Sequence, residues 1–362
     1  MNNQKLNILH GVSSLNLGGA ERLAIDICHL QNKEGTSSSI YSLGTENDAL
    51  VSEAKKLNIS VTHATGNSRW YKYNQFIKLV KSNNITILHF HSPALMKFLL
   101  PVFWLLPKET KIIYTRHGAA PYATKIWKLI HQLIKPFVKH ITFVSNDARD
   151  VFHKNHNWPL SSSTVIKNGI IVPPKSKIKK TADNVLRLGS IGRMDPIKGQ
   201  KYLLQALAEM TTEQQCKFEL HFFGHGSEFE KLNTYALQHL ESMKIVFHGI
   251  VKDRNQIYSK IDIQVVCSKM EGLSLAIMEA MANSIPTVAT NVGGNPELIN
   301  HKTTGMLFEY ADTKTLSSIL IELYNNRHLL YSIEENAYNF IAIDYSLNVT
   351  LDKYNKIYST NS

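Results

Sequence analysis

The sequence has few cysteines and no long apolar run. Its 362 residues include three cysteines that lack metal-ligand spacing, so each is expected to be a small buried hydrophobe in a reducing compartment. The longest apolar run, ALMKFLLPVFWLL, contains Lys97 and Pro101 and is too short to span a bilayer. A hydrophobic content of 43% excludes a disordered chain, and the length predicts two domains.

Two familiar site signatures are absent or incomplete. There is no Asp-x-Asp pair for a divalent metal, since Asp262 stands alone in KIDIQ. If a diphosphate leaves during a reaction, its charge must then be met by cations and helix N-termini. The turns GGAER and GHGSEF lack the third glycine of GxGxxG, so a nicotinamide site is disfavoured.

The positive charge lies entirely in the first half of the chain. Residues 1–170 contain 20 Lys and Arg against 9 Asp and Glu, whereas residues 171–362 contain 20 of each. This asymmetry indicates an anionic partner for the first half, and scattered surface lysines are the alternative. No nucleic-acid-binding motif accompanies the charge, so an anionic membrane surface is expected and nucleic acid is not.

One basic, amphipathic segment, ATKIWKLIHQLIKPFVKH, could provide the membrane contact. Its cations recur at helical spacing, and Pro136 is expected to kink or end the helix. This pattern is typical of an interfacial helix and also of a domain helix with a solvated lysine face. The cations are Lys125, Lys128, His131, Lys135 and Lys139, and the predicted apolar face is Ile126, Trp127, Ile130, Ile134, Phe137 and Val138.

Strand-like runs alternate with helical patterns through both halves. Buried, β-rich runs with helical crossovers predict α/β architecture with two doubly wound, Rossmann-like parallel sheets. The alternation stops at IIVPPKSKIKKTAD, which is typical of a linker. The predicted division is a domain at 1–170, a linker at 171–183, a domain at 184–342 and a helical segment at 343–362.

The most informative segment is EGLSLAIMEAMANSIPTVATNVGGNPELI. Glu271 lies between a buried strand and a helix, and Glu279 is predicted about two turns into that helix. A carboxylate among apolar residues must be paired, hydrogen-bonded or available to a ligand. Ligands of open α/β sheets bind at this carboxyl edge of the strands.

Cations and histidines end other strands. SIGRMDPIKG places Arg193 and Lys198 before a helix, where they could meet a diphosphate, although a solvated lysine has the same pattern. His89, His91 and His117 end strands of the first half and could reach a cleft, with a structural role the preferred interpretation for His89. They lack a clustered ligand pattern, so a zinc site is not expected.

Together these segments resemble the retaining glycosyltransferases of the GT-B fold, in particular family 4. The Glu271-to-Glu279 spacing matches the E-x7-E signature of that family. The resemblance continues through GGAER, FVSN, VIKNGI, GRMDPIKG, FFGHGSE, FHGIV and GGNPELI, and covers essentially the whole chain.

The resemblance implies that domain 1–170 lies on the acceptor side, that domain 184–342 binds the nucleotide sugar, and that the C-terminal helix at 343–362 crosses back to the first domain. It also implies roles for individual residues. Arg193 and Lys198 would hold the donor diphosphate, Glu279 the nucleotide ribose, and Glu271 the donor-sugar hydroxyls. His117 would lie near the donor sugar and acceptor, and with Glu271, Arg193 and Lys198 it forms the expected catalytic set. The remaining expected donor contacts are Gly18, Gly19, Gly272, Leu273 and Ser274 at the phosphates and His248 to Val251 at the base.

The implied reaction is transfer of a hexose from a nucleotide sugar, with retention and without a metal or other cofactor. UDP-sugars are the preferred donors and GDP-mannose is the next, with a glycan or lipid-linked acceptor at the cytoplasmic face of the inner membrane, in cell-surface polysaccharide synthesis. The alternatives are a nucleotide-sugar 2-epimerase of the same fold and a non-catalytic sugar- or lipid-binding module.

Overall fold

A computed structural model describes residues 6–118, 122–175, 184–251 and 253–360. The chain divides into two compact units, Met1–Ile171 with Leu347–Ser362, and Val172–Ser346. We call them the N unit and the C unit. Most of the predicted linker, residues 176–183, lies outside the described residues.

The N unit is built on a parallel sheet of seven strands in the order β3-β2-β1-β4-β5-β6-β7. The strands are β1 (Asn7–Val12), β2 (Ser37–Ser42), β3 (Val61–His63), β4 (Ile87–Phe90), β5 (Lys111–Arg116), β6 (Val138–Phe143) and β7 (Ser163–Val165). The helices that alternate with them are α1 (Gly19–Lys33), α2 (Val51–Lys56), α3 (Arg69–Ser82), α4 (Pro93–Leu99), α5 (Lys125–Ile134) and α6 (Asn146–Asn155).

The C unit has a second parallel sheet, with six strands in the order β10-β9-β8-β11-β12-β13. The strands are β8 (Leu186–Ile191), β9 (Phe218–Phe223), β10 (Lys244–Phe247), β11 (Ile263–Val266), β12 (Thr287–Thr290) and β13 (Met306–Phe308). The helices are α7 (Gln200–Ala208), α8 (Thr212–Gln215), α9 (Phe229–His239), α10 (Arg254–Tyr258), α11 (Leu275–Ala282), α12 (Asn295–Leu298), α13 (Thr313–Asn325) and α14 (Arg327–Asp344).

The two sheets confirm the predicted α/β class. Central strands such as β4, β11 and β12 are buried at every position, because helices cover both faces of a parallel sheet. Strands β3, β7 and β13 have only three residues each, too few to form a recognisable strand pattern in the sequence.

The last helix, α15 (Leu347–Ser359), packs within the N unit. Its first amide donates to the carbonyl of Ile170 at 2.8 Å. The buried Tyr358 hydroxyl lies 2.7 Å from Nδ1 of His89, and the Tyr354 hydroxyl lies 3.2 Å from Oγ1 of Thr115. Two buried tyrosines thus tie the C-terminus to strands β4 and β5.

Each sheet has one point where the direction of winding reverses. In the N unit this point lies between β1 and β4, and in the C unit it lies between β8 and β11. Loops that leave neighbouring strands on opposite faces open a crevice there, which is where open α/β sheets bind ligands. A ligand-binding site is therefore expected in the loops that follow these four strands.

Candidate active site

Lys198 and Glu271 meet at the reversal point of the C-unit sheet. Lys198 follows β8 and Glu271 follows β11, and Nζ of Lys198 lies 2.6 Å from Oε1 of Glu271. The Ser268 hydroxyl donates to the same oxygen at 2.7 Å, so neither contact uses Oε2. The carboxylate side chain is only 11% exposed. The positive charge of Lys198 compensates this buried carboxylate. Glu271 is therefore both paired and hydrogen-bonded, as expected for a carboxylate among apolar residues.

The two loops are joined through their backbones. The amide of Lys269 donates to the carbonyl of Ile197 at 2.8 Å. Gly199 has a φ of +62°, and a Cβ there would overlap the carbonyl oxygen of Cys267. Any larger residue would therefore separate the loops, because the left-handed conformation and the close approach both require glycine. Lys198 is the residue just before this contact, so its position relative to Glu271 is fixed.

A third loop, after β12, packs against the first turn of the Glu271 segment. Gly293 has a φ of +54°, and a Cβ on it would overlap the carbonyl oxygen of Glu271. The Thr290 hydroxyl donates to the carbonyl of Ser268 at 2.8 Å. The glycines of GGNPELI therefore have a specific use: they let this loop support the backbone that carries the buried carboxylate.

Glu279 is the fifth residue of the eight-residue helix α11, so it lies little more than one turn from the helix start. The predicted two turns were too many. Nη2 of Arg254 forms an ion pair with Oε1 of Glu279 at 3.1 Å, and the Tyr258 hydroxyl donates to Oε2 at 3.2 Å. Burial raises the pKa of Tyr258 well above its usual value, so it stays a neutral donor.

Arg193 does not contact the same carboxylate as Lys198. Its Nη1 lies 2.9 Å from Oδ2 of Asp195, and its side chain is 67% exposed. The nearby backbone is nevertheless ordered by Gln200, whose side-chain amide donates to the carbonyl of Arg193 at 2.8 Å. The predicted cation pair thus consists of one lysine fixed by a buried acid and one arginine in an exposed ion pair.

The segment Gly272 to Ser274 leads directly into α11. Leu273 and Ser274 are buried, and Ser274 occupies the N-cap position without making a side-chain cap. The first turn of a helix leaves backbone N–H groups without intrahelical acceptors, so this terminus carries positive potential. Lys198 and the start of α11 therefore flank Glu271 with positive charge.

The predicted base-binding segment begins with a stacked histidine. The His248 ring lies parallel to Phe223 with a centroid distance of 4.5 Å, and its Nε2 is 2.9 Å from Nδ1 of His221. Burial lowers the pKa of His248, and nearby Lys260 lowers it further. Val251 packs on a small apolar cluster that includes Phe223 and Tyr258. His248 and Val251 are thus connected through packing to the hydroxyl that contacts Glu279.

In the N unit, Gly18 and Gly19 are exposed at the start of α1, in the loop after β1. His117 follows β5, and its Nε2 lies 2.9 Å from Nδ1 of His91. His89 is satisfied on both ring nitrogens, by Thr115 at 2.6 Å and by Tyr358 at 2.7 Å. Its predicted structural role is therefore confirmed.

Three histidines of the N unit come together in space although their sequence spacing shows no ligand pattern. One ring nitrogen from each of His10, His89 and His91 lies within 4.8 Å of the other two. His10 and His89 are paired residues of neighbouring strands, which sequence spacing does not reveal. His10 had no predicted role.

Helix α5 has two apolar stripes rather than one. Ile130 and Ile134, from the predicted apolar face, are buried, but Ile126 is 59% exposed and shares its side with Leu129, also 59% exposed, and Leu133, 46% exposed. The predicted apolar face is therefore divided between the buried side and the exposed side of the helix. The helix ends at Ile134, just before Pro136, as the sequence predicts. Among the described residues, no helix combines the length and apolarity needed to cross a membrane.

Comparison with known proteins agrees with this architecture. The family described as "Glycosyl transferases group 1" matches residues 185–326, and that described as "Glycosyltransferase Family 4" matches residues 17–172. The two matches fall one in each unit. The chain belongs to the family 4, group 1 type of glycosyltransferases, with the GT-B fold.

Individual relatives are distant. N-acetyl-α-D-glucosaminyl L-malate synthase of Bacillus anthracis is 24% identical over 299 residues, covering 79% of this chain and 77% of that protein. UDP-Gal:α-D-GlcNAc-diphosphoundecaprenol α-1,3-galactosyltransferase of Escherichia coli is 24% identical over 300 residues, covering 78% and 77%. Anabaena HepE, solved with UDP and glucose, has a TM-score of 0.85 at 18% identity, covering 98% of this chain and all of that one. The TM-score of 0.85 over nearly the whole chain establishes a common fold.

Proposed function

We propose that this glycosyltransferase moves a hexose from a UDP-sugar to a lipid-linked acceptor, with retention of configuration and without a metal. The observation that carries the proposal is the buried Lys198–Glu271 pair at the reversal point of the C-unit sheet. It sets a cation and a carboxylate side by side where this fold class binds ligands.

Lys198 supplies the charge that a departing diphosphate needs. Its side chain is about one quarter exposed, so it is accessible yet partly shielded from water, which strengthens its attraction to an anion. The backbone N–H groups at the start of α11 add a second, fixed source of positive potential. Arg193, which is exposed and held only by Asp195, can turn towards the same anion.

The two carboxylates are held differently, which suits different ligand groups. Glu271 receives both of its contacts on Oε1, and Oε2 can accept hydrogen bonds from sugar hydroxyls. Glu279 is held at one oxygen by Arg254 and at the other by Tyr258, which fixes its orientation towards a ribose. His248, flat against Phe223, provides a surface next to a nucleotide base.

The proposed chemistry follows from these groups. The acceptor hydroxyl attacks the anomeric carbon from the face that the diphosphate leaves, and the leaving phosphate takes the hydroxyl proton. No protein base is then required for the transfer. The contribution of the enzyme is to position both substrates and to stabilise the charge that develops on the diphosphate through Lys198 and the α11 terminus.

The printed names of relatives guide the choice of substrates. The Escherichia coli relative is named for a UDP-sugar donor and a diphosphoundecaprenol-linked acceptor, and Anabaena HepE was solved with UDP. A lipid-linked acceptor requires the enzyme to work at a membrane surface. We place the contact on the exposed stripe of α5, Ile126, Leu129 and Leu133, which we call the α5 stripe.

The surroundings of the α5 stripe support a membrane contact. Lys125 and Lys128 are exposed on the same helix, and the N-terminal half of the chain carries the whole positive excess. Trp104 is 65% exposed, and its ring packs edge-on against Phe137 at 4.5 Å, just beyond the end of α5. Exposed aliphatic residues with flanking lysines and a tryptophan are typical of a surface that enters the headgroup region of anionic lipids.

The test is a donor panel followed by product analysis. UDP-, GDP- and ADP-sugars are incubated with the protein, with and without a diphosphoundecaprenol-linked acceptor and with and without EDTA. We expect UDP-sugar turnover that EDTA leaves unchanged and an α-linked product, identified by its anomeric proton coupling in NMR. Epimerisation of the sugar without acceptor, loss of turnover in EDTA, or an inverted product would each contradict the proposal.

A further inference from the structure

Four buried or half-buried side chains of the N unit form a continuous row of hydrogen bonds. Oε1 of Gln31 lies 2.8 Å from Nε2 of His10, Nδ1 of His10 lies 2.9 Å from Nε2 of His91, and Nδ1 of His91 lies 2.9 Å from Nε2 of His117. We call this row the histidine relay. It runs from helix α1 to the residue that follows β5.

The order of the sheet explains the row. His10 belongs to β1, His91 follows β4 and His117 follows β5, and these strands are neighbours. Each of the two hydrogen bonds between histidines therefore joins one strand, or the residue that follows it, to the neighbouring strand. Gln31, near the end of α1, lies at the inner end, where it is 1% exposed.

The three rings are neutral. Burial lowers the pKa of His10 to about 4 and that of His117 to about 3, and burial together with neighbouring histidines holds the pKa of His91 well below its usual value. A neutral imidazole has one donor and one acceptor nitrogen. In a row of nitrogen-to-nitrogen hydrogen bonds, all the protons must then point in one direction.

Gln31 sets that direction. Its Oε1 can only accept, so His10 must carry its proton on Nε2 and accept on Nδ1. The same assignment then passes to His91 and to His117. His117 is left with an unprotonated Nδ1, which is buried and has no hydrogen-bond partner among the described residues.

The relay also accounts for the cluster of His10, His89 and His91 without an ion. All six of their ring nitrogens already have hydrogen-bond partners: Gln31, Thr115, Tyr358, His117 and, between His10 and His91, each other. A metal at this position would have to break several of these bonds.

We propose that Gln31, His10 and His91 are positioning residues that hold His117 in its Nε2–H tautomer, with Nδ1 as a hydrogen-bond acceptor. The use of that acceptor rests on the function proposed above: it receives a hydrogen bond from a substrate hydroxyl. With Nε2 committed to His91, the His117 ring has no N–H to donate to substrate.

The tautomer is measured directly by long-range 1H–15N correlation NMR on protein labelled with 15N-histidine. The His117 signals are assigned by their loss in His117→Asn. We expect Nδ1 of His117 to have the 15N shift of an unprotonated nitrogen and Nε2 that of a protonated one. A protonated Nδ1 in the wild-type protein would overturn the proposal, whatever the enzymatic activity proves to be.

Two variants test the part played by Gln31. Gln31→Met removes the acceptor at similar volume and should give a mixture of tautomers at His117. Thr142→Val is the matched control, because Thr142 is equally buried and bonds to Thr115, outside the relay, and it should preserve the wild-type signals. Unchanged His117 signals in Gln31→Met would contradict the relay. If that variant does not fold, unchanged His117 signals in Gln31→Leu would contradict it.

Activity separates positioning from simple structural support. We expect Gln31→Met to lower kcat about tenfold, which corresponds to the net contribution of about one hydrogen bond, while UDP affinity stays unchanged. An equal loss of kcat in Gln31→Met and Thr142→Val would indicate general loosening of the N unit and would overturn the positioning role.

Discussion

The two units share one architecture but treat buried polar groups in opposite ways. In the C unit, cations compensate buried carboxylates, as in Lys198–Glu271 and Arg254–Glu279. In the N unit, the corresponding region near the sheet reversal contains histidines that burial keeps neutral. The same kind of parallel sheet therefore supports ion pairs in one unit and a row of neutral rings in the other.

The difference matches the chemistry that each unit is proposed to handle. A diphosphate is highly charged both bound and leaving, and fixed cations stabilise it. An acceptor hydroxyl needs orientation rather than charge, and neutral hydrogen-bonding groups provide it. Burial that keeps the histidine rings neutral lets them donate and accept hydrogen bonds without adding charge.

The largest expected effect comes from removing the charge of the C unit. Lys198→Ala should lower kcat roughly 100- to 1,000-fold, the usual range for deleting one group that stabilises transition-state charge. The measurement is steady-state turnover of the UDP-sugar, with circular dichroism to verify folding. Lys231→Ala is the matched control, because Lys231 forms an exposed ion pair with Glu228. Near-normal turnover in Lys198→Ala would remove its assigned role.

The next effect concerns the proposed membrane contact of the N unit. The double variant Leu129→Gln, Leu133→Gln should reduce binding to vesicles containing anionic lipid about tenfold or more, since each buried aliphatic side chain contributes roughly 1.5–3 kcal/mol. Co-sedimentation with vesicles measures it. Turnover of a water-soluble acceptor should not change.

The control for the membrane variant lies in the C unit. Leu237 is 68% exposed, so Leu237→Gln removes one exposed leucine from the other unit and is compared with the single variant Leu129→Gln, where the leucine is 59% exposed. It should leave vesicle binding intact. Equal losses in the two variants, or no loss in either, would refute a contact through the α5 stripe.

Much of the fold could be predicted because long buried strands have a strong pattern, whereas β3, β7 and β13 are too short to have one. The positions of Lys198 and Glu271 followed from where their strands end. Their direct pairing did not, because it depends on the contact of Gly199 with Cys267 across the loops.

Other parts of the site required three-dimensional information. Arg254 and Tyr258 belong to a short helix with no marked pattern, and only folding places them against Glu279. The row of His10, His91 and His117 depends on the pairing of strands that are far apart in sequence. On α5, the sequence contains two apolar stripes, and only the packing against the domain decides which one is buried.

The smallest expected effect is a difference in pH response between the units. His10 has a folded pKa of about 4 against 6.5, so its stabilising contribution is present above pH 6.5 and is lost as the pH falls towards 4. Glu334, in the C unit, makes stability change with pH in the opposite direction. Burial raises its pKa from 4.5 to about 7, so stability falls as the pH rises through this range.

The variant Glu334→Gln tests this opposite dependence of stability on pH. The variant should gain roughly 1 kcal/mol in the free energy of unfolding at pH 8, after allowance for partial solvent screening, and clearly less at pH 5. Urea titration at the two pH values measures it. The control is Glu335→Gln at the adjacent position, where the side chain is 65% exposed. A gain that is equal at both pH values would contradict the assignment.

The separate roles proposed for Glu271, at the donor sugar, and Glu279, at the ribose, are tested most directly by calorimetric titration of UDP into three proteins. The wild type should bind UDP, and Glu279→Ala should bind it about tenfold or more weakly because a charge-assisted hydrogen bond to the ribose is lost. Glu271→Ala should bind UDP at least as well as the wild type, because UDP has no donor sugar. Weaker UDP binding in Glu271→Ala together with unchanged binding in Glu279→Ala would contradict the account.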